Sequence, residues 1–233
     1  MKIEHKKYEL SESLQRMQDI LDSKGEEYRK YHFIPQEGVL PEYKGYFVDC
    51  AVIASRLYFH SKDISPLGVA KIYDMYINET KCILAENELC RKIILHGNTI
   101  IGIYTMGPEG FLNDLTDVAG RLSSLPDVIN TKVGRKSSLL IGSVCSLEVG
   151  YLFAVSADEG MDFFGGMLNR AESWLMKRGE DEKEPKGLFI SQVVRDNLKE
   201  LYQKFFQLSR IEGVYHGYIE NIGMSRWVKE QYD

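Results

Sequence analysis

The sequence predicts an α+β fold in which helices pack on one side of an antiparallel-rich sheet. Two pairs of apolar segments are each joined by turn residues, which is typical of β-hairpins. Segments with apolar residues at helical spacing separate these pairs. Neither GxGxxG nor GxxxxGK(S/T) occurs, and the hairpins interrupt a β-α-β order. A doubly wound nucleotide-binding fold is therefore disfavoured.

The N-terminal third is predicted to contain a helix, a strand and a second helix. Apolar residues recur at helical spacing before Tyr28 and predict a helix that packs on the domain or on a partner. The segment Tyr43 to Asp49 alternates and is largely apolar, which indicates a buried strand. Pro66 marks the first turn of a long helix whose pattern stops near Asn87.

The middle of the chain is predicted to form a hairpin, a helix and a second hairpin. The tripeptide His96 to Asn98 separates two apolar runs, and Gly and Asn tolerate the positive φ of a tight turn. Apolar residues spaced from Leu112 to Leu125 predict the helix, which we expect Pro126 to end. The second hairpin has the strands SLLIGSVCS and GYLFAVSA, joined around Glu148 and Gly150.

The C-terminal third is predicted to alternate between helices and strands. The glycine-bearing link DFFGG leads into a helix from Met167 to Arg178, and Gly179 to Gly187 is a charged loop. The segment LFIS is a short strand, Gln192 to Phe206 is a helix, and Ile211 to Ile219 is a strand.

The composition limits the class of protein. A chain of 233 residues with 44% hydrophobic content can bury one core, so we predict one domain over residues 43–233, preceded by a helix and linker over residues 1–42. The net charge of −5 and the absence of a Lys/Arg cluster argue against binding to nucleic acid or an anionic membrane. No apolar run reaches the ~20 residues of a membrane helix, and the N-terminus lacks a signal-peptide centre. We expect a cytosolic protein.

The cysteines and histidines do not form a recognised metal motif. The four cysteines have no CxxC spacing, and the five histidines form no HExxH pattern. Neither a structural zinc site nor a metalloprotease is therefore indicated, and we expect buried reduced thiols. The four cysteines are Cys50, Cys82, Cys90 and Cys145.

One carboxylate, Asp49, lies in the otherwise mostly apolar run GYFVDCAVIASRLYF. An ionised carboxylate in a core costs several kcal/mol unless it is paired, hydrogen-bonded or bound to a metal. Asp49 therefore caps the following turn, pairs with another side chain, or holds a cation.

Several of these features together resemble the class III nucleotidyl cyclases. They are a strand with Asp49, a long helix, a hairpin with Gly97 at its tip, and the segment DFFGGMLNRA. In that family a strand ends in a metal-binding Asp, a hairpin carries a Gly-Asp pair with the second metal carboxylate, and a later glycine-bearing segment opens a helix with transition-state groups. The resemblance covers Tyr43 to Trp227 and implies a ferredoxin-like palm of the class III cyclase type.

Within this family the chain is most similar to the Pycsar-type pyrimidine cyclases of bacterial anti-phage defence. Those proteins also begin with a short helix and finish with an aromatic-rich strand like YHGYIENIGMSRW. The resemblance therefore implies a preference for a pyrimidine nucleotide.

The resemblance implies a metal site from which this chain partly departs. Asp49 stands at the position of the first metal-binding Asp, and the backbone carbonyl of Cys50 is implied to assist. Gly97 matches the hairpin glycine, whereas Asn98 replaces the second metal Asp. Because Asn is neutral and a poorer magnesium ligand than Asp, Mg or Mn would bind weakly or at a single site. Turn geometry alone also explains Asn98.

The resemblance also implies residues that contact the nucleotide. Lys92 and Asp162 match base-contacting positions, Asn169 matches the catalytic Asn that orients the ribose, and Ser173 stands where the family has Arg or Lys. Each has an alternative. Lys92 could face solvent on an edge strand, Asp162 could interact with a helix dipole, and Asn169 is locally favoured near a helix start.

The implied reaction converts a nucleoside triphosphate into a 3′,5′-cyclic monophosphate and pyrophosphate. It would occur in the cleft of a head-to-tail homodimer, with Asp49 and Asn98 of one chain facing Lys92, Asp162 and Asn169 of the other. Lys92 and Asp162 mildly favour purines over the pyrimidines that the Pycsar likeness implies. The alternatives are a degenerate cyclase homologue that acts as a nucleotide-binding or regulatory dimer, and an unrelated α+β scaffold.

Overall fold

The computed structural model describes residues 8–22, 28–34, 45–60, 64–134, 141–157, 160–177 and 187–232. Residues 179–186 of the predicted charged loop lie outside these ranges. The helices are α1 Leu10–Leu21, α2 Pro66–Ala85, α3 Phe111–Lys132, α4 Gly166–Lys177, α5 Gln192–Asp196, α6 Glu200–Gln203 and α7 Ile222–Glu230. The strands are β1 Tyr28–Tyr31, β2 Gly45–Phe59, β3 Cys90–His96, β4 Thr99–Thr105, β5 Ile141–Ala157, β6 Gly160–Phe164, β7 Leu188–Ser191, β8 Phe206–Leu208 and β9 Val214–Gly217.

The strands form one mixed sheet in which antiparallel pairs predominate. Its main order is β3-β4-β2-β5-β7-β9-β8, with β1 added to β2 and β6 added to β5. The β1/β2 and β5/β7 pairs are parallel. The predicted α+β class is confirmed.

Helices cover both faces of the sheet, whereas the sequence predicted one. On the first face, α2 and α3 pack on Ala51, Ile53 and Leu57 of β2. On the second face, α4 packs on Val52 and Ala54 of the same strand. A central strand that is buried on both faces is apolar at successive positions, so its sequence does not show which face carries a helix.

The strand β2 is twice as long as predicted and continues ten residues beyond Asp49. It pairs with β4 up to Arg56 and with β5 up to Phe59. Its partner β5 is also continuous, because Glu148 and Gly150 lie inside this ladder. The predicted hairpin around these two residues is wrong, and β5 instead pairs with β6.

Residues before the predicted domain boundary also join the sheet. Strand β1 pairs with residues 45–48 of β2. Ile34 is buried, and its backbone N–H donates to Thr105 Oγ1 at 2.8 Å. By contrast, the apolar stripe of α1 is more than half exposed at Leu10, Leu14 and Met17. Within the described residues, this helix does not bury its stripe on the domain.

Helix α3 continues through Pro126 instead of ending there. Proline has no backbone N–H and therefore leaves the carbonyl four residues earlier without its helical partner. That carbonyl belongs to Leu122, and it accepts a hydrogen bond from Ser143 Oγ on β5 at 3.0 Å. A side chain of the sheet thus replaces the lost helical bond, which the local sequence could not reveal.

Replacing Ser143 with alanine should lower the free energy of unfolding by about 1–3 kcal/mol, because it leaves a buried carbonyl without a partner. The same change should cost less in a Pro126→Ala background, where the restored backbone N–H can bond to Leu122. Urea unfolding of the four proteins in this double-mutant cycle measures the difference. An equal cost in both backgrounds would contradict this account of α3.

The region predicted as one helix from Gln192 to Phe206 is divided into α5, α6 and β8. The side chain of Asn197 donates to Val193 O at 2.8 Å at the end of α5. The backbone N–H of Lys199 donates to Asn113 Oδ1 of α3 at 3.0 Å, which fixes the link before α6. The predicted strand Ile211 to Ile219 is shortened to β9, and α7 follows it.

The four cysteines are free, and two of them are buried as expected. Burial raises the pKa of the Cys50 thiol to about 12. Cys145 is also buried, Cys90 is half-buried, and Cys82 is exposed. Among the described residues, no helix has the length and apolar character needed to cross a membrane.

Candidate functional site

Lys92 and Asp162, which the resemblance implies as base-contacting residues, meet in the structure. Lys92 lies on β3 and Asp162 on β6, and the distance from Lys92 Nζ to Asp162 Oδ1 is 3.7 Å. Lys92 is two positions from Ile94, which contacts the core beneath α4. Side chains two apart share a face of a strand, so the Lys92 side chain lies on the second face of the sheet. Its role with the base remains a prediction.

A cavity of about 410 Å³ lies on the same face, where the turn between β3 and β4 approaches the end of β2 and α4. Asn98, Asn169 and Ser173 line it together in a single chain. The resemblance had assigned Asn98 and Asn169 to opposite chains of a dimer. The complete lining is Arg56, His96, Gly97, Asn98, Asn169, Glu172, Ser173 and Met176.

Hydrogen bonds hold the β3–β4 turn against both β2 and α4. Asn98 Nδ2 donates to Leu57 O at 2.8 Å, and the backbone N–H of Leu57 donates to Asn98 O at 3.0 Å. His96 Nδ1 lies 2.7 Å from Glu172 Oε1 on α4. Gly97 adopts a φ of 60°, which favours glycine. The turn interpretation of Asn98 is therefore confirmed, and the same contacts place its side chain at the cavity.

Arg56 is the residue of β2 that lines this cavity, and it was not among the predicted site residues. It lies two positions beyond Ala54 and therefore on the second face. Its guanidinium donates to Thr99 Oγ1 at the long distance of 3.4 Å. Its Nε is buried without a hydrogen-bond partner among the described residues. The sequence signal for Arg56 was a positive charge within an apolar run. The face of the sheet on which its side chain lies depends on the pairing of β2 with distant strands.

Helix α4 contributes Asn169 and Ser173 to the cavity. The described residues offer no hydrogen-bond partner to the Asn169 carboxamide, which remains available to a ligand. Ser173 Oγ instead donates to Arg170 O at 2.8 Å, within its own helix. Ser173 therefore supplies no positive charge where the family has Arg or Lys.

Asp49 does not converge with Asn98, so that prediction is wrong. Asn98 is hydrogen-bonded to Leu57, which lies eight positions after Asp49 on β2. In an extended strand this separation corresponds to ~26 Å. Asp49 and Arg56 are an odd number of positions apart, so they point to opposite faces. Asp49 instead pairs with His32, at 2.8 Å from Oδ2 to Nδ1. It lies within a strand, so the capping interpretation is wrong as well.

Asp49 and His32 line a second cavity, of about 560 Å³, with Met106 and Tyr151 among its other residues. The side chain of Lys30 extends over Tyr151 and donates to its hydroxyl group at 2.6 Å. This hydrogen bond, supported by the nearby Asp49 charge, raises the pKa of Lys30. The carboxylate of Asp49 is thus in contact with His32 and close to the positive charge of Lys30, both of the same chain.

Cys50 is also remote from the turn. It lies opposite Thr105 on one neighbouring strand and Gly150 on the other. Its carbonyl is therefore in the middle of the sheet and not at a free strand end. The implied role of Cys50 as a metal ligand beside Asn98 is wrong.

The cavity does not fit the pair of metal ions that the resemblance implies. Magnesium and manganese prefer carboxylate oxygens. The one carboxylate in the lining, Glu172, is already paired with His96. The Arg56 guanidinium would repel a cation, by about 4 kcal/mol per pair of unit charges at 4 Å and an effective dielectric of 20. Among the described residues, no group of three or more His, Cys, Asp or Glu is arranged to hold a metal.

Comparison with known proteins places this fold among the nucleotidyl cyclases. No family model matches the chain. Its sequence is 22% identical over 258 residues to a uridylate cyclase of Gulbenkiania mobilis, and the match covers 99% of both chains. The structure is similar to the adenylyl cyclase CyaB of P. aeruginosa, with a TM-score of 0.57, 13% identity and coverage of 74% of this chain and 94% of that chain. It is also similar to a bacterial light-regulated adenylyl cyclase, with a TM-score of 0.60, 12% identity and coverage of 96% and 69%.

These similarities confirm the fold that the resemblance implied. The chain has the overall fold of class III cyclase domains, although the sequence identities are low. The candidate site consists of the Lys92–Asp162 pair and the Arg56 cavity.

Proposed function

We propose that this chain, which has the fold of class III nucleotidyl cyclase domains, converts a nucleoside triphosphate into its 3′,5′-cyclic monophosphate and pyrophosphate. The observation that carries the proposal is the similarity to a uridylate cyclase over 99% of both chains. The match extends over nearly the whole chain and is not limited to one motif. UTP is the preferred substrate by the same comparison.

In the proposed reaction the ribose 3′-oxygen attacks the α-phosphorus and loses its proton to solvent. The bond from the α-phosphorus to the bridging oxygen breaks, and pyrophosphate leaves. Such reactions depend on positioning and on stabilisation of phosphoryl charge. Asn169 would orient the ribose, because its carboxamide lines the cavity without a partner among the described residues.

The Lys92–Asp162 pair would bind the base. The edge of uracil presents carbonyl acceptors on either side of an N–H donor. Lys92 can donate to a carbonyl oxygen while Asp162 accepts from the N–H. Their separation of 3.7 Å allows both side chains to contact one base edge. This chemistry removes the mild preference for purines that the two residues had suggested.

The Pycsar likeness further suggests a role in anti-phage signalling, and the exposed apolar stripe of α1 supports a homodimer. A cyclase homologue that binds nucleotide without turnover is less favoured, because the full-length relative is itself named as a cyclase. Mg or Mn remains the cation implied by the resemblance, although the cavity lining contains one carboxylate, Glu172, and not a pair.

The pure protein should convert UTP into cyclic UMP and an equal amount of pyrophosphate, over many turnovers per chain. UTP, CTP, ATP and GTP are each incubated with magnesium, manganese or EDTA, and products are measured by chromatography and mass spectrometry. Asn169→Ala should lower the rate by at least about tenfold. Asn78→Ala, which changes an exposed Asn on α2, should not.

Each contrary result selects another interpretation. Nucleotide binding without product would support the non-catalytic alternative. If the protein neither binds a nucleotide nor forms a product, the result would support an unrelated scaffold. Light scattering on the same samples measures the mass, and a monomer under assay conditions would contradict the proposed dimer.

A further inference from the structure

The cavity at the β3–β4 turn carries a positive charge where the resemblance implies bound cations. The described residues give the Arg56 guanidinium a long hydrogen bond to Thr99 and a contact with the Tyr58 ring at 5.8 Å, but no acidic partner. The carboxylate of Glu172 in the same lining is engaged by His96 at 2.7 Å. The cavity therefore has an uncompensated cation and no free acid among its lining residues.

The unused donors of the cavity suit an anion. The buried Nε–H of Arg56 has no acceptor among the described residues, which is unfavourable unless a ligand supplies one. A guanidinium presents its N–H groups in a planar fork that matches two phosphate oxygens. The carboxamide of Asn169 provides further donors on the α4 side.

The position of Arg56 relative to Lys92 suits the two ends of one nucleotide. Lys92 on β3 pairs with Ile103 on β4, and Ile103 pairs with Val52 on β2. Arg56 is four residues further along β2, or ~13 Å, on the same face. A ligand whose base contacts the Lys92–Asp162 pair could thus place its phosphates near Arg56.

We propose that Arg56, in place of a divalent cation held by this chain, binds the phosphate groups of the substrate, so that a nucleoside triphosphate binds without a divalent cation. This inference rests on the proposed function, because it takes the ligand to be a nucleoside triphosphate. It assigns to one guanidinium the charge compensation that carboxylate-held metals provide in the family.

Calorimetry tests the proposal with UTP whose α,β-bridging oxygen is replaced by a methylene group, which prevents cyclisation. Inorganic tripolyphosphate and uridine are titrated in parallel, each in magnesium and in EDTA. We expect the UTP analogue and tripolyphosphate to bind the wild-type protein equally well in both buffers. Arg56→Ala should weaken both by at least roughly tenfold, and Arg56→Lys should weaken them less. Uridine binding should not change.

The matched control is Arg226→Ala, which removes an exposed arginine from α7, a helix that packs on α3. It should bind like the wild type. Binding that requires magnesium, or that is the same in Arg56→Ala and Arg226→Ala, would overturn the proposal. Product formation with magnesium-dependent binding would reject the inference and leave the proposed function intact. Arg56-dependent binding in EDTA without product from any nucleotide would reject the catalytic function instead.

Discussion

Replacing Asp162 with alanine should lower kcat/KM for UTP by roughly 10- to 150-fold, the effect of losing a hydrogen bond to a charged group. Most of the loss should be in KM, because contacts with the base are made in both the ground state and the transition state. Lys92→Ala should have a similar effect. Initial rates measured over a range of UTP concentrations separate KM from kcat.

Stability should change little in the same variants. The Lys92 and Asp162 side chains are 30% and 57% exposed, and exposed ion pairs contribute about 0–1 kcal/mol. The matched control is Glu200→Ala, which removes the acid of an exposed pair with Lys204 on α6. If Asp162→Ala and Glu200→Ala retain equal activity, the Lys92–Asp162 pair is a solvent-exposed ion pair without a role in the base site.

Replacing both Arg56 and Asn98 with aspartate should create a manganese site at the cavity. The two positions lie beside each other, since Leu57 next to Arg56 is hydrogen-bonded to Asn98. The change removes a repelling charge and supplies two carboxylates, so Mn²⁺ should bind at least roughly tenfold more tightly than to the wild type. Electron paramagnetic resonance of free Mn²⁺ during titration measures the affinity. Nucleotide binding should then require the metal.

The neutral variant Arg56→Asn controls for the loss of the guanidinium alone. It should not gain the manganese affinity of the double variant. Asn98→Asp loses a donor to Leu57 O, so a cost in stability of about 1–3 kcal/mol is expected, and folding is checked by circular dichroism. Wild-type protein that already binds Mn²⁺ as tightly as the double variant would contradict this account of the cavity.

Elements defined by local patterns were predicted well. The structure has a helix before Tyr28, a helix that begins at Pro66 and a β3–β4 hairpin, as predicted, because helical spacing, a Pro at the first helical turn and a Gly-Asn turn are local signals. Predictions that depended on distant partners failed. Pro126 was expected to end α3, but Ser143 of β5 compensates for the missing backbone bond.

The candidate site was predicted in part for the same reason. Lys92, Asp162 and Asn169 were selected by their spacing within a resemblance. The structure places Lys92 and Asn169 on the side of the second face and pairs Asp162 with Lys92. Arg56 was not selected, and Asp49 was expected at the end of its strand. Pairing with β4 and β5 extends β2 beyond Asp49 and brings Arg56 to the turn.

The sequence by itself determined that a buried strand contains Asp49 and that a tight turn follows β3. Tertiary structure alone decided which charge of β2 meets that turn. Side chains alternate between the faces of a strand, and seven positions separate Asp49 from Arg56, so the two must point to opposite sides. Which side faces α4 and the turn depends on the register with β4 and β5, and contacts between distant segments set that register.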